Sequence, residues 1–304
     1  MMYSSLSFPA ARNAVVALFV VGTPAAATFV SGMIPDHYGA SAVSSSLTPT
    51  PVSPAAAAEA NGAVDPASEK TLQKKLDLLR KGSAFLNERG SYSARMSKQE
   101  VVGGELLPEH VIWMKCRQQP FSVYLSWETG DPGREVLYIE GANNGRLIGH
   151  DGGWKARLPA FSLSPESSLA MRDARYPVTR AGVGGVIDLM IEAHETDLQT
   201  HRYERCEYDP HVSFDGRDCH SFTTTYKSAA ASPIYRKSVT LIDREWNIPL
   251  SSHHYEWPKS EAARSGGDVD ATTLIEAYEF TEIDFNVEFN DEDFDRQNDE
   301  YAFR

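Results

Sequence analysis

Cysteine is scarce in this sequence: 304 residues contain only Cys116, Cys206 and Cys219. An odd count allows at most one intramolecular disulfide, and the spacing reproduces no C-x2-C zinc signature. Basic charge is also short. Lys and Arg number 29 against 42 Asp and Glu, a formal net charge of −13. That balance excludes nucleic acid as the main partner, because binding phosphates needs a basic surface. It argues equally against electrostatic docking on anionic lipid.

Catalytic and metal signatures are missing as well. No G-x-S-x-G elbow occurs. Gly182-Val183-Gly184-Gly185 could open a helix over a phosphate, but it lacks both the Walker spacing and the dinucleotide fingerprint. His194 and His201 stand seven apart, whereas the metalloprotease motif needs histidines four apart on one helical face. His253 and His254 are adjacent, so a strand would aim their rings at opposite faces. Asp291, Asp293 and Asp295 begin like a calcium loop, yet Arg296 and Ala302 stand where glycine and a bidentate Glu are required. The sequence therefore assigns no metal, no cofactor and no catalytic residue, and it reads as a non-enzyme.

What is present is a hydrophobic fraction of 41% with 10% aromatics, enough for a sizeable core. Arg12 precedes an apolar stretch from Ala14 to Val21, followed by Thr23-Pro24-Ala25-Ala26-Ala27. A positive residue, a short apolar run and small residues at a cleavage site describe a secretory signal. Cleavage fits after Ala27 or after Ala42. The apolar stretch also continues towards Ile34, nearly the roughly 20 residues of a membrane span. Residues 1–35 are accordingly a signal peptide or an N-terminal membrane anchor. Either places the remainder in the periplasm or cell envelope, with membrane contact only through that segment if it is uncleaved. Residues 36–67 are rich in Ala, Ser and Pro and read as a disordered linker. Residues 68–304 form a single β-rich domain.

In that domain, Ser68 is the expected N-cap of a helix carrying Leu72, Leu76, Leu79 and Phe85 on one stripe, ended by Gly90. Phe121, Val123, Leu125 and Trp127 then alternate with Ser122, Tyr124, Ser126 and Glu128, the period of a half-buried strand. Neighbouring strands are expected at His110–Arg117, Glu135–Gly141, Arg146–Asp151 and Lys155–Leu158, with Asn144-Gly145 marking a hairpin. Short spacings favour antiparallel pairing. A second amphipathic helix is expected over 181–199, followed by strands at Tyr203–Tyr208, Cys219–Tyr226, Ile234–Ile242, Ile248–Trp257 and Leu274–Phe289. The parity change between Phe280 and Ile283 predicts a β-bulge or two-sided burial near Thr281. In an exported protein, Cys206 and Cys219 on adjacent hairpin strands are a natural disulfide pair, leaving Cys116 free.

The run from Leu137 to Gly145 resembles the middle hairpin of a family of uncharacterised exported bacterial proteins defined by a domain of unknown function. Ser91–Met96 and Tyr278–Asn286 resemble its first and last strands, and Asp293-Phe294-Asp295 with Asn298 and Tyr301 is similar to its end. The element order is also similar to that of the LolA/LolB-like lipoprotein carriers. That likeness implies an α+β, mostly β fold: a curved antiparallel sheet, or half-barrel, covered by helices, with a cavity for acyl chains between them. The implied function is non-enzymatic binding of a lipid, acyl chain or lipoprotein. The alternative is a cell-envelope sensor or protein-interaction domain on the same scaffold. Candidate lining residues are Met114, Val123, Leu125, Trp127, Leu137, Ile139, Phe285 and Phe289, and a closed core formed by the same residues is the competing expectation. The carrier family's gating arginine is not assignable among Arg95, Arg117 and Arg157.

Overall fold

The structure, a computed structural model, describes residues 64–259 and 267–303. The expected signal or anchor, nearly all of the expected linker, and Ser265-Gly266 lie outside the described residues. The first helix, α1 (Pro66–Arg89), starts earlier than its Leu stripe suggested. Its cap is Asp65, whose carboxylate accepts from Ala67 N–H at 3.2 Å, and Pro66 follows at the first helical position. Proline suits that place because it has no N–H to satisfy and its φ is preset. Ser68 is therefore inside the first turn rather than the cap. Gly90, with φ of 74°, ends the helix as expected.

Among the described residues twelve strands follow, every neighbouring pair antiparallel. They are β1 (Ser91–Val102), β2 (Glu105–Leu106), β3 (His110–Arg117), β4 (Ser122–Trp127), β5 (Glu135–Ile139), β6 (Leu147–His150) and β7 (Phe161–Leu163). After helix α2 (Gly182–Thr200) come β8 (Tyr203–Phe214), β9 (Arg217–Tyr226), β10 (Lys237–Asp243) and β11 (Pro249–Tyr255). A short helix, α3 (Val269–Thr273), leads into β12 (Leu274–Asp284). The spatial order is β7-β6-β5-β4-β3-β1-β12-β11-β10-β9-β8, with β2 paired to β1 off that path. The sheet is curved and unclosed, as the half-barrel expectation required. First and last long strands meet in the middle, so β7 and β8 are the two edges. The chain joining them, residues 164–202, must cross a face of the sheet, and α2 is part of that crossing.

The inner face carries α1 and α2. Leu72, Leu76, Leu79, Val183 and Ile187 are at most 1% exposed there, within or beside a core that includes Tyr92, Met114 and Cys116. Two glycines permit the fit. A Cβ on Gly82 would lie 2.2 Å from the Asn247 carbonyl, so α1 approaches the β10–β11 turn too closely for any side chain. Gly182 has φ of +80°, which a glycine adopts freely. The N–H of Val183 then donates to the Tyr92 hydroxyl at 2.9 Å, so a protein group already holds this helix end.

The outer face is covered differently. Residues 289–303 run back over it as a tail, and Phe294, Tyr301 and Phe303 pack on Tyr124, Leu137 and Ile148. Tyr301 stacks on Tyr124 with centroids 4.0 Å apart. Lys115 lies over the rings of Trp113, Phe289 and Tyr301, 5.4–5.7 Å from each centroid, and pairs with Asp293 at 3.2 Å.

Several expectations need correction. The last strand stops at Asp284; Phe285–Phe289 keeps its alternation of burial without pairing to another strand. The bulge is present, because Ser93 faces Asp284 while Arg95 faces Thr281, and Glu282 takes φ of 50°. Lys155–Leu158 is not a strand. Gly153–Arg157 forms a 3-10 turn, folded back by the bond from Gly153 N–H to the Pro132 carbonyl, and the strand comes later, as β7. No bridge joins Cys206 to Cys219; all three cysteines are free and buried. The β8–β9 register sets Cys206 opposite Thr224 and Cys219 opposite Val212, so the two thiols are separated along the hairpin.

Replacing Phe294 with Ala should lower stability by about 3–5 kcal/mol, the usual cost of emptying a buried aromatic site. Urea unfolding of the two proteins measures it. A loss below about 1 kcal/mol would mean that the tail packs only loosely on the outer face.

Candidate functional site

A pocket of about 350 Å³ lies on the inner face, between the sheet, the 164–181 segment and α2. Its floor is Met96 of β1, Ile112 of β3, Leu125 and Trp127 of β4, Val136 of β5 and Leu147 of β6. Cross-strand register explains their convergence: Met96 faces Ile112, Ile112 faces Trp127, and Leu125 faces Val136. Directly opposed residues share a face. Leu169, Pro177 and Val178 of the crossing segment and Val186 and Leu189 of α2 form the opposite wall.

One end of the pocket is polar. Lys98, Glu100, Tyr176 and Tyr278 line it. The Tyr278 hydroxyl donates to Glu100, which also receives Lys98 Nζ at 2.9 Å. Glu276 faces Glu100 across the strand pair, and two opposed carboxylates repel. Arg175 offsets this: its guanidinium lies 2.9 Å from Glu276, its backbone N–H reaches Glu100 at 3.3 Å, and Nη1 donates to the Val101 carbonyl at 3.1 Å. Tyr235 and Tyr176 donate to Glu276 at 2.8 and 3.2 Å. Burial raises the Glu276 carboxyl above its ordinary range against the pull of Arg175 and Tyr235. Every oxygen here has a partner, so this network fastens the crossing segment to the sheet.

The eight candidate lining residues separate. Leu125 and Trp127 line the pocket, while Met114 and Val123 lie on the same face beneath the helices, in the closed core. Phe285 packs against that core. Leu137 and Ile139 belong to the outer face, under the tail, and Phe289 is part of the tail itself. Leu137 and Ile139 were misplaced because β5 is apolar on both faces, so its composition does not mark the inner one. Val136 and Tyr138, opposite Leu125 and Val123, are the inner residues. Leu137, Ile139 and Phe294 instead line a smaller outer pocket of about 250 Å³ with Asp291, Asp295 and Arg296.

The sequence reading missed the polar half of the inner face. Register aligns Cys206, Thr224, Ser238, His254, Glu276 and Glu100 in one row across six strands. Against this band lie Lys75 of α1, donating to Thr240 Oγ1 at 3.0 Å, and His194 of α2, 2.9 Å from Asp197. Arg202 and Tyr226 also donate to Asp197. The adjacent His253 and His254 do face opposite ways: His253 lies 3.5 Å from Glu279, and His254 bonds Ser252 at 2.7 Å. Arginines at the pocket are Arg134, Arg172 and Arg180; Arg95, by contrast, pairs with Glu128 and Glu282 on the other face. Among the described residues no group of three or more His, Cys, Asp or Glu is arranged to hold a metal ion.

The sequence model of the family described as "Protein of unknown function (DUF1571)" matches residues 90–303. No curated protein matches the chain. Among solved structures, the Pseudomonas aeruginosa MucA/MucB complex is similar at 13% identity and a TM-score of 0.41, covering 73% of this chain and 60% of that one. Mycobacterium tuberculosis lipoprotein LppX is similar at 10% identity and 0.40, covering 72% and 99%. A LolA superfamily protein from Nitrosomonas europaea is similar at 11% identity and 0.27, covering 72% and 96%. At these scores the similarities carry no functional argument.

Lys75 gives a test of the polar band. Burial, which outweighs the attraction of Cys206 and Asp197, lowers its amine from 10.5 to about 8. A lowered amine means that burying the cation costs stability below about pH 8, and that the cost fades as pH rises towards 10.5. The gap corresponds to about 3 kcal/mol. Lys75→Met should therefore raise the unfolding free energy at pH 7 by about 1–3 kcal/mol. It should also remove the rise that the natural protein shows above pH 8, which urea titrations at pH 7, 8 and 10 would detect.

Proposed function

This chain belongs to the DUF1571 family, and from the inner pocket we propose that it is an exported, non-enzymatic module that binds a single acyl chain. The observation that carries the reading is the pocket itself, with a continuous apolar floor from Met96 to Leu147 and an apolar wall in α2. Its volume of about 350 Å³ is at the small end of ligand pockets, which run from about 300 to 1,000 Å³. That size suits one chain of a free fatty acid or a lipoprotein better than an entire diacyl lipid. The cluster at Lys98 and Glu100 limits how far an apolar chain extends, because displacing satisfied charges costs more than burying methylenes returns.

Non-enzymatic binding fits the residues in contact with the space. Glu100, Arg134 and Asp173 line it, but each is engaged: Glu100 by Tyr278 and Lys98, and Asp173 by Arg134. The signal or anchor at residues 1–35 supports export, and the Ala/Ser/Pro-rich linker would give the domain reach from a membrane.

Native mass spectrometry of the full chain purified from an exporting host, followed by organic extraction, tests the proposal. An acyl species bound one to one is expected. Val136→Trp, which places an indole on the pocket floor, should weaken binding of a fluorescent C16 fatty acid at least tenfold. Ser162→Trp, on the exposed outer side of β7, should leave it unchanged. A natural protein that is empty and ignores added fatty acid would sink the carrier reading and leave the envelope protein-interaction alternative.

A further inference from the structure

The polar band holds a second feature, which acyl binding does not use. Basic groups from three elements face it: Lys75 of α1 on Thr240, His194 of α2 on Asp197, and His254 of β11 on Ser252, the residue opposite Thr240. Lys75 and His194 are buried, at 0% and 3% exposure, and His254 is half-buried. Lys75 opposes the charging of both histidines, and His194 opposes that of His254.

Counter-charge is short on every side. From α2, Asp197 is the carboxylate in reach of His194, and it already accepts from Arg202 and from Tyr226 of β9. From β8, Cys206 contributes a buried thiol, with Thr224 of β9 3.6 Å away. From β10, Thr240 offers Lys75 a hydroxyl, and the buried Ser238 Oγ has no hydrogen-bond partner among the described residues. From β12, Glu276 stands opposite His254 but is taken up by Arg175, Tyr176 and Tyr235. Another proton on either histidine would therefore add an uncompensated charge under two helices, which the buried His194 resists strongly and the half-buried His254 less so.

We propose that this cluster makes the seating of α1 and α2 on the sheet proton-sensitive, so that charging His194 and His254 lifts the helices and opens the pocket whose wall α2 forms. The helix movement stands on the cluster alone; release of a bound acyl chain rests on the function proposed above. The direction follows from linkage. Burial, then Lys75, lowers His194 to about 4 and His254 well below its ordinary 6.5. The seated form stays uncharged while the lifted form takes protons, so seating weakens as pH falls below about 6.5. The seated-to-lifted ratio drops roughly tenfold per pH unit for each histidine, down to about pH 4 for His194. Burial pushes the Asp197 carboxyl up, but His194 and Arg202 outweigh it and hold it low, so its contribution is lost only below that window. Glu276, raised by burial, acts in the opposite sense.

Amide hydrogen exchange on the full chain, corrected for intrinsic rates, tests this between pH 7.5 and 4.5. Protection of α1 and α2 should fall by about 10²-fold or more below pH 6.5 while β3 and β4 keep theirs. His254→Gln should roughly halve the pH slope, and adding His194→Asn should flatten it. A double variant with the natural slope, or parallel loss of protection in β3 and β4, would overturn the proposal. If the double variant does not fold, the slope of His254→Gln alone decides. A fluorescent C16 fatty acid, bound at pH 7.5 and released at pH 5 in step with exchange, extends the result to the pocket. Failure to bind at pH 7.5 counts against the acyl reading alone.

Discussion

The antiparallel pairing of β1 with β12 is the constraint on which the remaining architecture depends. It joins the first long strand to the last, with Met96 facing Phe280 and Glu100 facing Glu276. Each half of the chain must then build outward from the centre, one from β3 to β7 and the other from β11 to β8. The edges end far apart in space but consecutive in sequence. Residues 164–202 have to bridge them, and α2 spans about 28 Å of that path at 1.5 Å per residue. A loop and helix laid over the inner face enclose a pocket wherever their side chains do not reach the floor. The long β8 edge is itself guarded: Pro210 lacks an N–H, and the register shifts between Asp209 and Val212.

Elements with one clear period were legible in the sequence. His110–Arg117 has the same bounds in the structure as in the alternation, and the helix ended by Gly90 needed only its cap moved to Asp65. The parity break near Thr281 located a bulge now seen at Glu282. Failures came where two covers compete for one strand. Val136, Leu137 and Tyr138 are all buried because helices cover one side of β5 and the tail covers the other. Composition therefore gave no parity for β5, and Leu137 and Ile139 were assigned to the wrong face. The Cys206–Cys219 pairing failed for a related reason. A hairpin can be inferred from turn residues, but the turn falls at Asp215-Gly216, which sets Cys219 opposite Val212 and Cys206 opposite Thr224. The shift after Asp209 moves that register by only one residue.

The polar band was invisible for a deeper reason. No two of Cys206, Thr224, Ser238, His254 and Glu276 are close in sequence, and each alone resembles an ordinary strand residue. Only the register of five strand pairs brings them and Glu100 into one row. Once aligned, they divide the inner face in two. Met96, Ile112 and Trp127 continue an apolar floor, whereas the adjacent rows require hydrogen-bonding groups from above. That requirement explains Lys75 and His194, two polar side chains otherwise out of place on the buried sides of α1 and α2. The helices are thus positioned by apolar contact at one level and by polar pairing at the next.

The outer face completes the argument from the same pairing. β1 begins at Ser91, and its last contact with β12 is Ser93 with Asp284. Beyond that point the chain has no strand to pair with and must leave the sheet. It leaves with Phe285 still packed on the inner core, and then supplies Phe289, Phe294, Tyr301 and Phe303 to cover Tyr124, Leu137 and Ile148 on the outer face. Without them, β4–β6 would show water an apolar surface on the side away from the helices, since antiparallel strands hydrophobic on both faces need two covers. Lys115, between the Trp113 ring of the sheet and the Phe289 and Tyr301 rings of the tail and paired with Asp293, pins the tail to that surface. The tail is therefore part of the domain's core. The family match runs to residue 303 and so includes it.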